Sequence, residues 1–311
     1  MSLEKLEAYL VPEPQPLIGA ETIQLILLRE VLDYTILRTE ETRELNAVYT
    51  PLSIADPTPT KRVAFLGTKQ KAPESRELEH LLRTANRNAN RTDVPDCYLK
   101  DHLCLRCPRC GLFGATAATS GSDERANIKH RINYSTAFSL LPFENIADEI
   151  TFNAINDDTQ MTGQALGSRH VVRPATLFPS IVTLKGVTRE ELILTVKTLM
   201  ACKSYGAETR TQGECRNTIV GIVAGWEEVI TPLELTLELY DRSREDIVGS
   251  VAPLVRDRYV PLAAHRDRVM VLDSTDVGVL VGECSSILVD RGFLDTAYQH
   301  VLDYRGKQGV K

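Results

Sequence analysis

Four cysteines crowd one short stretch of the chain. Cys97, Cys104, Cys107 and Cys110 stand there with His102 among them, while Cys202, Cys215 and Cys284 are scattered far downstream. The run Cys107-Pro-Arg-Cys-Gly111 has the form of a zinc knuckle. In such a knuckle two thiolates three residues apart bind one tetrahedral ion, and Pro108 and Gly111 shape the turn. Two more ligands are needed, and Cys97, His102 and Cys104 are the nearest candidates, with His130 further off. Which of Cys97 or His102 completes the shell is open. An iron–sulfur cluster is the rival, since Cys104, Cys107 and Cys110 carry Cys-x-x-Cys-x-x-Cys spacing. Against it, the trailing Cys-Pro is missing, and Arg106 and Arg109 suggest a solvated, basic setting. Disulfides are disfavoured by an odd count of 7 and by the absence of a secretory signal. The expectation is a structural zinc ion, closed to water, that staples an insertion too small to bury a core of its own.

The second set of residues able to do chemistry is cationic. The chain of 311 residues carries a net charge of −6, yet positions 61–138 hold 14 Lys and Arg against 8 Asp and Glu. A basic island on an acidic body is an electrostatic footprint for phosphate. Within it Lys69, Lys71 and Arg76 gather where Pro73 and Ser75 are placed to start a helix, and a helix N-terminus favours an anion. A loop further on, Lys203 to Gly213, has two glycines framing Arg210, Thr211 and Gln212, and its amides could line a phosphate backbone.

The elements that must position these residues follow from periodicity and punctuation. Leu10 to Pro16 is an extended, proline-rich lead-in. Ile23 to Thr39 reads as one long bent strand or a tight hairpin, and Arg62 to Leu66 as a short strand. Leu78, Leu81 and Leu82 give the helix after Pro73 its apolar face. Asn153 to Pro179 mixes strand formers at each end with a polar tip carrying Gly163 and Gly167, which predicts a protruding β-hairpin with Met161 and Leu166 near its tip. Leu177–Leu184 is a strand and Thr188-Arg-Glu-Glu191 a capping box. Leu192, Val196, Leu199 and Met200 line one helical face, Gly206 is a helix stop, and Ile219–Ala224 is a second strand. Together these make a βαβ unit. The last third reads as a strand at Leu233–Tyr240, a helix near Asp246–Arg256, a strand at Arg268–Asp273 and a helix near Phe293–Tyr304. No apolar run approaches the ~20 residues of a membrane span, and the charged start lacks a signal peptide's apolar core, so a soluble cytoplasmic protein is expected.

Several long strings carry a family resemblance. Asn156-Asp-Asp-Thr-Gln-Met-Thr-Gly-Gln-Ala-Leu-Gly-Ser-Arg-His-Val-Val-Arg-Pro-Ala-Thr-Leu-Phe-Pro179, Val63-Ala-Phe-Leu-Gly-Thr-Lys-Gln-Lys71 and Cys104-Leu-Arg-Cys-Pro-Arg-Cys-Gly-Leu-Phe-Gly-Ala115 resemble the backbone subunit of the type I-D CRISPR Cascade complex, within the RAMP superfamily of CRISPR RNA-binding proteins. The resemblance implies an α+β fold: an RRM-like, ferredoxin-like palm at 1–68 and 177–311, a helical zinc-binding insertion at 69–150 and a β-hairpin thumb at 151–176. It implies many copies polymerised head-to-tail along one CRISPR guide RNA, alongside other Cascade subunits, with target DNA recognised by way of the guide. The RNA-binding set it suggests is Lys61, Arg62, Lys69, Lys71, Arg76, Lys203, Arg210, Thr211, Gln212 and Gly213 on the palm side. On the thumb it adds Gln160, Met161, Thr162, Leu166, Arg169, His170 and Arg173. The cations would make sequence-independent phosphate contacts, and Met161 and Leu166 are of the type that wedges into a base stack.

A nuclease is the competing class, because related type III backbone subunits cut the bound strand with a loop aspartate. Asp33, Asp56, Asp157 and Asp158 could sit at turns, but none aligns with that aspartate. No divalent-cation ligand pattern accompanies them, and His170 alone makes no acid–base pair. The expectation is a scaffold without catalytic residues.

Overall fold

The computed structural model describes residues 2–38, 44–99, 102–116, 127–152, 155, 157–162, 167–206 and 213–308. Its strands are β1 (Thr22–Val31), β2 (Ala47–Pro51), β3 (Pro59–Phe65), β4 (Ile132–Tyr134), β5 (Ala137–Phe138), β6 (Ala147–Phe152), β7 (Gly167–Val172), β8 (Leu177–Lys185), β9 (Cys215–Gly225) and β10 (Met270–Leu272). Its α-helices are α1 (Ser2–Lys5), α2 (Gly67–Asn88), α3 (Pro108–Phe113), α4 (Phe143–Ile146), α5 (Arg189–Ala201), α6 (Pro232–Leu239), α7 (Arg244–Leu254), α8 (Ser274–Ser286) and α9 (Arg291–Lys307). The architecture is mixed α+β with antiparallel sheets. None of these helices is long and apolar enough to cross a membrane.

A five-stranded sheet in the order β10-β9-β1-β8-β4 organises the molecule. Its centre is β1, whose Thr-Ile-Gln-Leu-Ile-Leu-Leu-Arg-Glu-Val run is buried at every position but Glu30. A strand covered on both faces reads as a continuous apolar run. Alternation assigns the faces: Ile23, Leu25 and Leu27 join the core under α2, α5, α8 and α9, while Ile26 and Leu28 join a second core under α6 and α7. Both β8 and β9 run antiparallel to β1, so they are parallel to each other. α5 links them, and the expected βαβ unit is therefore split around β1. A bulge opposite Ile26 and Leu27 shifts the β9 register and puts the extra residue, Val220, into the second core.

Several elements differ from the sequence reading. The long segment Ile23–Thr39 is one strand that ends at Val31, and Thr35 then bridges to Val172. α2 starts at Gly67, six residues before Pro73, which lies inside the helix. Gly67 is required there because a Cβ would come within 2.2 Å of the Tyr134 carbonyl oxygen. The segment Leu233–Tyr240 is helical, not extended. Pro232 sits at its first turn and Thr231 and Glu234 form a capping box, but the helix is buried nearly all round, so no 3.6-residue stripe marks it. α8 has no counterpart in the sequence reading, although Asp273 caps it through two amide bonds. The helix before Gly206 ends at Ala201, with extended backbone at Cys202. β4 and β5 lie within the 69–150 segment, yet they pair with β8 and β3. The chain has therefore rejoined the main sheet by Ile132.

Candidate metal centre and nucleic-acid interface

The cysteine stretch folds into a small module on α9. Cys107 caps α3, its sulfur accepting from the Cys110 amide, and Pro108 occupies the first turn. Gly111 lies inside the helix, not in a turn. A Cβ there would meet Val301 of α9 at 2.8 Å, so glycine serves close helix approach. The turn belongs to Gly114, whose φ of +83° ends the helix. Sγ atoms of Cys97, Cys104, Cys107 and Cys110 all lie within 4.8 Å of one another. A tetrahedral site with zinc–sulfur bonds of about 2.3 Å would space its sulfurs about 3.8 Å apart, so the four thiols fit one metal ion. His102 is outside this set; it pairs with the backbone of Tyr98 and stacks on its ring. Without a cation the thiols are in conflict. Hydrogen bonds from Cys104, then Cys107 and Cys97, hold Cys110 far below the usual thiol range, while those with Cys104, then Cys110 and Cys97, push Cys107 well above it. A divalent ion held by these four residues would ionise them all.

The basic island is partly internal: Arg106 is exposed as expected, but the solvated setting expected around Arg109 is corrected. Arg109 is buried, donating through Nε to Ser75 and lying 3.2 Å from Glu79. Arg131 is buried and ties the module to the sheet, donating to the carbonyls of Gly111 and Gly186 and to the Glu191 carboxylate. Arg62, expected on the RNA surface, is fully buried. It donates to Thr50 and to the carbonyls of Leu52, Ser139 and Leu140, so it holds β2, β3 and β5 together. A sequence window of charge counts these arginines as surface, whereas buried guanidinium groups need several partners and here have them.

Other candidate contacts remain at the surface. Arg76 and Lys203 are exposed, Lys69 is half-buried, and Lys61 sits over the Phe143 ring at 4.2 Å. Lys71 is half-buried, and burial, then the nearby Arg109 charge, lowers its pKa. Where the sequence predicts a hairpin at 153–179, β6 and β7 form a two-stranded antiparallel sheet, paired from Ala147 with Val172 to Phe152 with Gly167, so the first arm starts earlier than expected. Beyond it Gln160 and Thr162 are exposed, and so is Met161, at 69%. On β7, Arg169 and His170 are half-buried, and Arg173 just after it pairs with Asp148 at 3.1 Å. Leu166, Arg210, Thr211 and Gln212 lie outside the described residues.

A buried polar knot and one threonine bring these pieces together. Arg29 of β1 donates to Glu74 of α2 (2.7 Å) and to Asn217 of β9 (2.9 Å). The Tyr205 hydroxyl donates to the same Glu74 oxygen at 2.7 Å. Burial, then the Glu74 charge, pushes that hydroxyl well above its usual pKa, so it stays a donor. Through Tyr205 the knot seats the 203–206 end of the glycine loop against α2. The loop's neck is closed by bonds from Tyr205 N to Gly213 O and from Cys215 N to Lys203 O. At Gly213, φ is +59° and a Cβ would come within 2.6 Å of Gly206 and 2.9 Å of Thr35. Thr35 also exchanges backbone hydrogen bonds with Val172 at the end of β7. α2, the neck of the glycine loop and the end of β7 therefore converge on one place. Sequence reasoning missed Arg29, Glu74, Asn217 and Thr35. Arg29, a charge inside the most apolar strand, was the available signal.

Comparison with known proteins identifies the family. The pattern of the Csc2 Crispr family matches residues 9–283, and the chain belongs to that family. Among solved structures it is similar to that described as the crystal structure of Thermofilum pendens Csc2, with a TM-score of 0.69 and 19% identity over 97% of this chain and 93% of that one. It is also similar in fold to a chain from a structure described as a CRISPR RNA-guided surveillance complex, pre-nicking, with a TM-score of 0.50 and 11% identity over 76% and 89% of the two chains. No curated protein matches.

Proposed function

We propose that this chain is the guide-RNA-binding backbone subunit of a type I-D Cascade antiviral complex, working in the cytoplasm, with one structural zinc ion on Cys97, Cys104, Cys107 and Cys110. Membership of the Csc2 Crispr family carries this reading. The convergence of α2, the neck of the glycine loop and the end of β7 around Thr35 and Tyr205 supports it, since such a junction can hold an RNA backbone at several points of one subunit. Copies pack head-to-tail, a heterologous contact that grows into a filament when it does not close. Lys69, Lys71, Arg76 and Lys203 contact phosphates, Met161 at the thumb tip displaces a base, and the remaining bases pair with target DNA. The split βαβ sheet fits an RRM-like palm. The subunit acts as a scaffold and does not cut the strand. The test is purification from a host carrying the CRISPR array: co-purifying RNA of uniform length supports the reading. A pure sample free of RNA, with no affinity for a synthetic guide, would sink it.

A further inference from the structure

A cleft of about 420 Å³ opens along the seam between the first turns of α2 and the cysteine module, with residues 128–130 on its far side. Its wall is apolar at Leu103, Phe113 and Ile128, while Lys71, Arg109 and His130 bring three basic groups to it. Among the described residues no carboxylate lines it. Arg109 is already satisfied by Ser75, Glu79 and the Gly114 carbonyl. Lys71 is not: it is half-buried, and among the described residues no acid stands beside it. His130 is exposed, hydrogen-bonded to Asn133, and Thr68 is exposed at the rim. All three are open to a ligand from solvent.

The fold fixes these groups in place. Ala115 and Ile128 exchange backbone hydrogen bonds, and the Arg131 amide donates to the Leu112 carbonyl at 2.8 Å, so the segment bearing His130 is pinned to the end of α3. A Cβ at Gly114 would come within 3.0 Å of the His130 amide nitrogen, so glycine permits that approach. Lys71 rides on α2, which Arg109 ties to the same module through Ser75. Two basic side chains therefore face one cleft from separate elements, with the Arg109 charge behind them. Burial, then the Arg109 charge, lowers the Lys71 pKa; burial, then the Lys71 and Lys129 charges, lowers that of His130. Like charges held together in a cleft without a counter-ion are a standing cost, and an anion removes it. A phosphate suits the place, since its several acceptor oxygens can meet donors on different sides at once. We propose that this cleft takes one phosphate of a bound nucleic-acid strand, clamped between Lys71 of α2 and His130 beside the metal module, with the Thr68 hydroxyl as third donor. This rests on the guide-binding reading and extends it, because the metal module then forms one wall of the RNA groove and His130 and Thr68 join its contacts.

The experiment titrates the zinc-loaded full-length protein with two unrelated single-stranded RNAs, followed by fluorescence anisotropy, and maps lysine acetylation by mass spectrometry with and without RNA. Lys71→Ala should weaken both RNAs about tenfold and His130→Ala about threefold. Because both groups hold the same phosphate, the double variant should lower the salt slope by about 0.7, the share of a single phosphate. Thr68→Glu supplies the missing carboxylate at an exposed position in the first turn of α2. It should weaken both RNAs about tenfold without lowering the melting temperature, since an acid is favourable there. Bound RNA should shield Lys71 from acetylation and leave Lys5 on α1 as reactive as before. Metal content and circular dichroism check each variant, and if His130→Ala loses zinc the decision rests on Thr68→Glu. If wild type binds RNA while Thr68→Glu and His130→Ala bind as it does, or if Lys71 stays reactive in the complex, the assignment falls and the guide-binding reading stands. Shielding of Lys71 by other protein subunits but not by RNA would give the cleft to an acidic protein segment and equally overturn it. Failure of wild type to bind either RNA removes both.

Discussion

The central sheet and the cysteine module are held together by different means. β1 is buried on both faces and keeps its place through two apolar cores. The module lends Leu103, Leu105, Leu112 and Phe113 to the first of these cores, and it also gathers four thiols around one point. Large apolar area makes a structure indifferent to any single contact, whereas a metal-centred one depends on a single coordination event. The two regions meet at Arg131, which bonds to Gly111 on one side and to Gly186 and Glu191 on the other.

The largest expected effect separates the two regions outright. Structural zinc in finger peptides contributes about 10–16 kcal/mol. Cys107→Ser with Cys110→Ser, or chelation, should therefore unfold residues around Cys97–Gly114 while the sheet persists. Hydrogen exchange resolved by peptide should show loss of protection in the module alone; simultaneous loss in β1 and β8 would erase the distinction. Elemental analysis should find about one zinc per chain, and iron in a brown sample would replace the assignment. Next in size is Arg131→Ala, which leaves Glu191 buried without its partner and should cost about 3–5 kcal/mol. Because Arg131 belongs to both regions, its loss should lower the melting temperature of the whole chain, and an unchanged melt would mean the junction is not coupled. Thr188→Ala removes the cap of α5 and should cost about 1 kcal/mol, measured as a shift in urea midpoint with unchanged slope. The smallest effects concern binding. Lys203→Ala should weaken two unrelated RNAs equally and reduce the salt slope by about 0.7, while Met161→Ala should leave the slope as it was. Wild-type slopes for the lysine variant would put the RNA elsewhere.

The parts of this arrangement that sequence could reveal are those with local causes. The capping box at Thr188, the apolar run of β1 and the Cys-x-x-Cys pair each announce themselves within a few residues. Four cysteines were visible as candidates, but only folding could choose Cys97 over His102, because the choice depends on where the loop from α2 returns. Arg62, Arg109 and Arg131 looked like surface charge, since burial of an arginine depends on carbonyls and carboxylates up to 78 residues away. α6 was misread because alternating leucines carry a strand's period by coincidence, and its cap at Thr231 was the better guide. The knot of Arg29, Glu74, Tyr205 and Asn217 joins four distant segments and was beyond any window.

The junction at Thr35 also bears on measurement. One residue contacts both the neck of the glycine loop and the end of β7, so the spacing between those two places is set inside a single packed cluster. A subunit repeated along a polymer acts as a ruler, and random errors in each division accumulate along its length. On the filament reading, the stiffness of that small cluster governs how far along the guide the last base stays in step with the first.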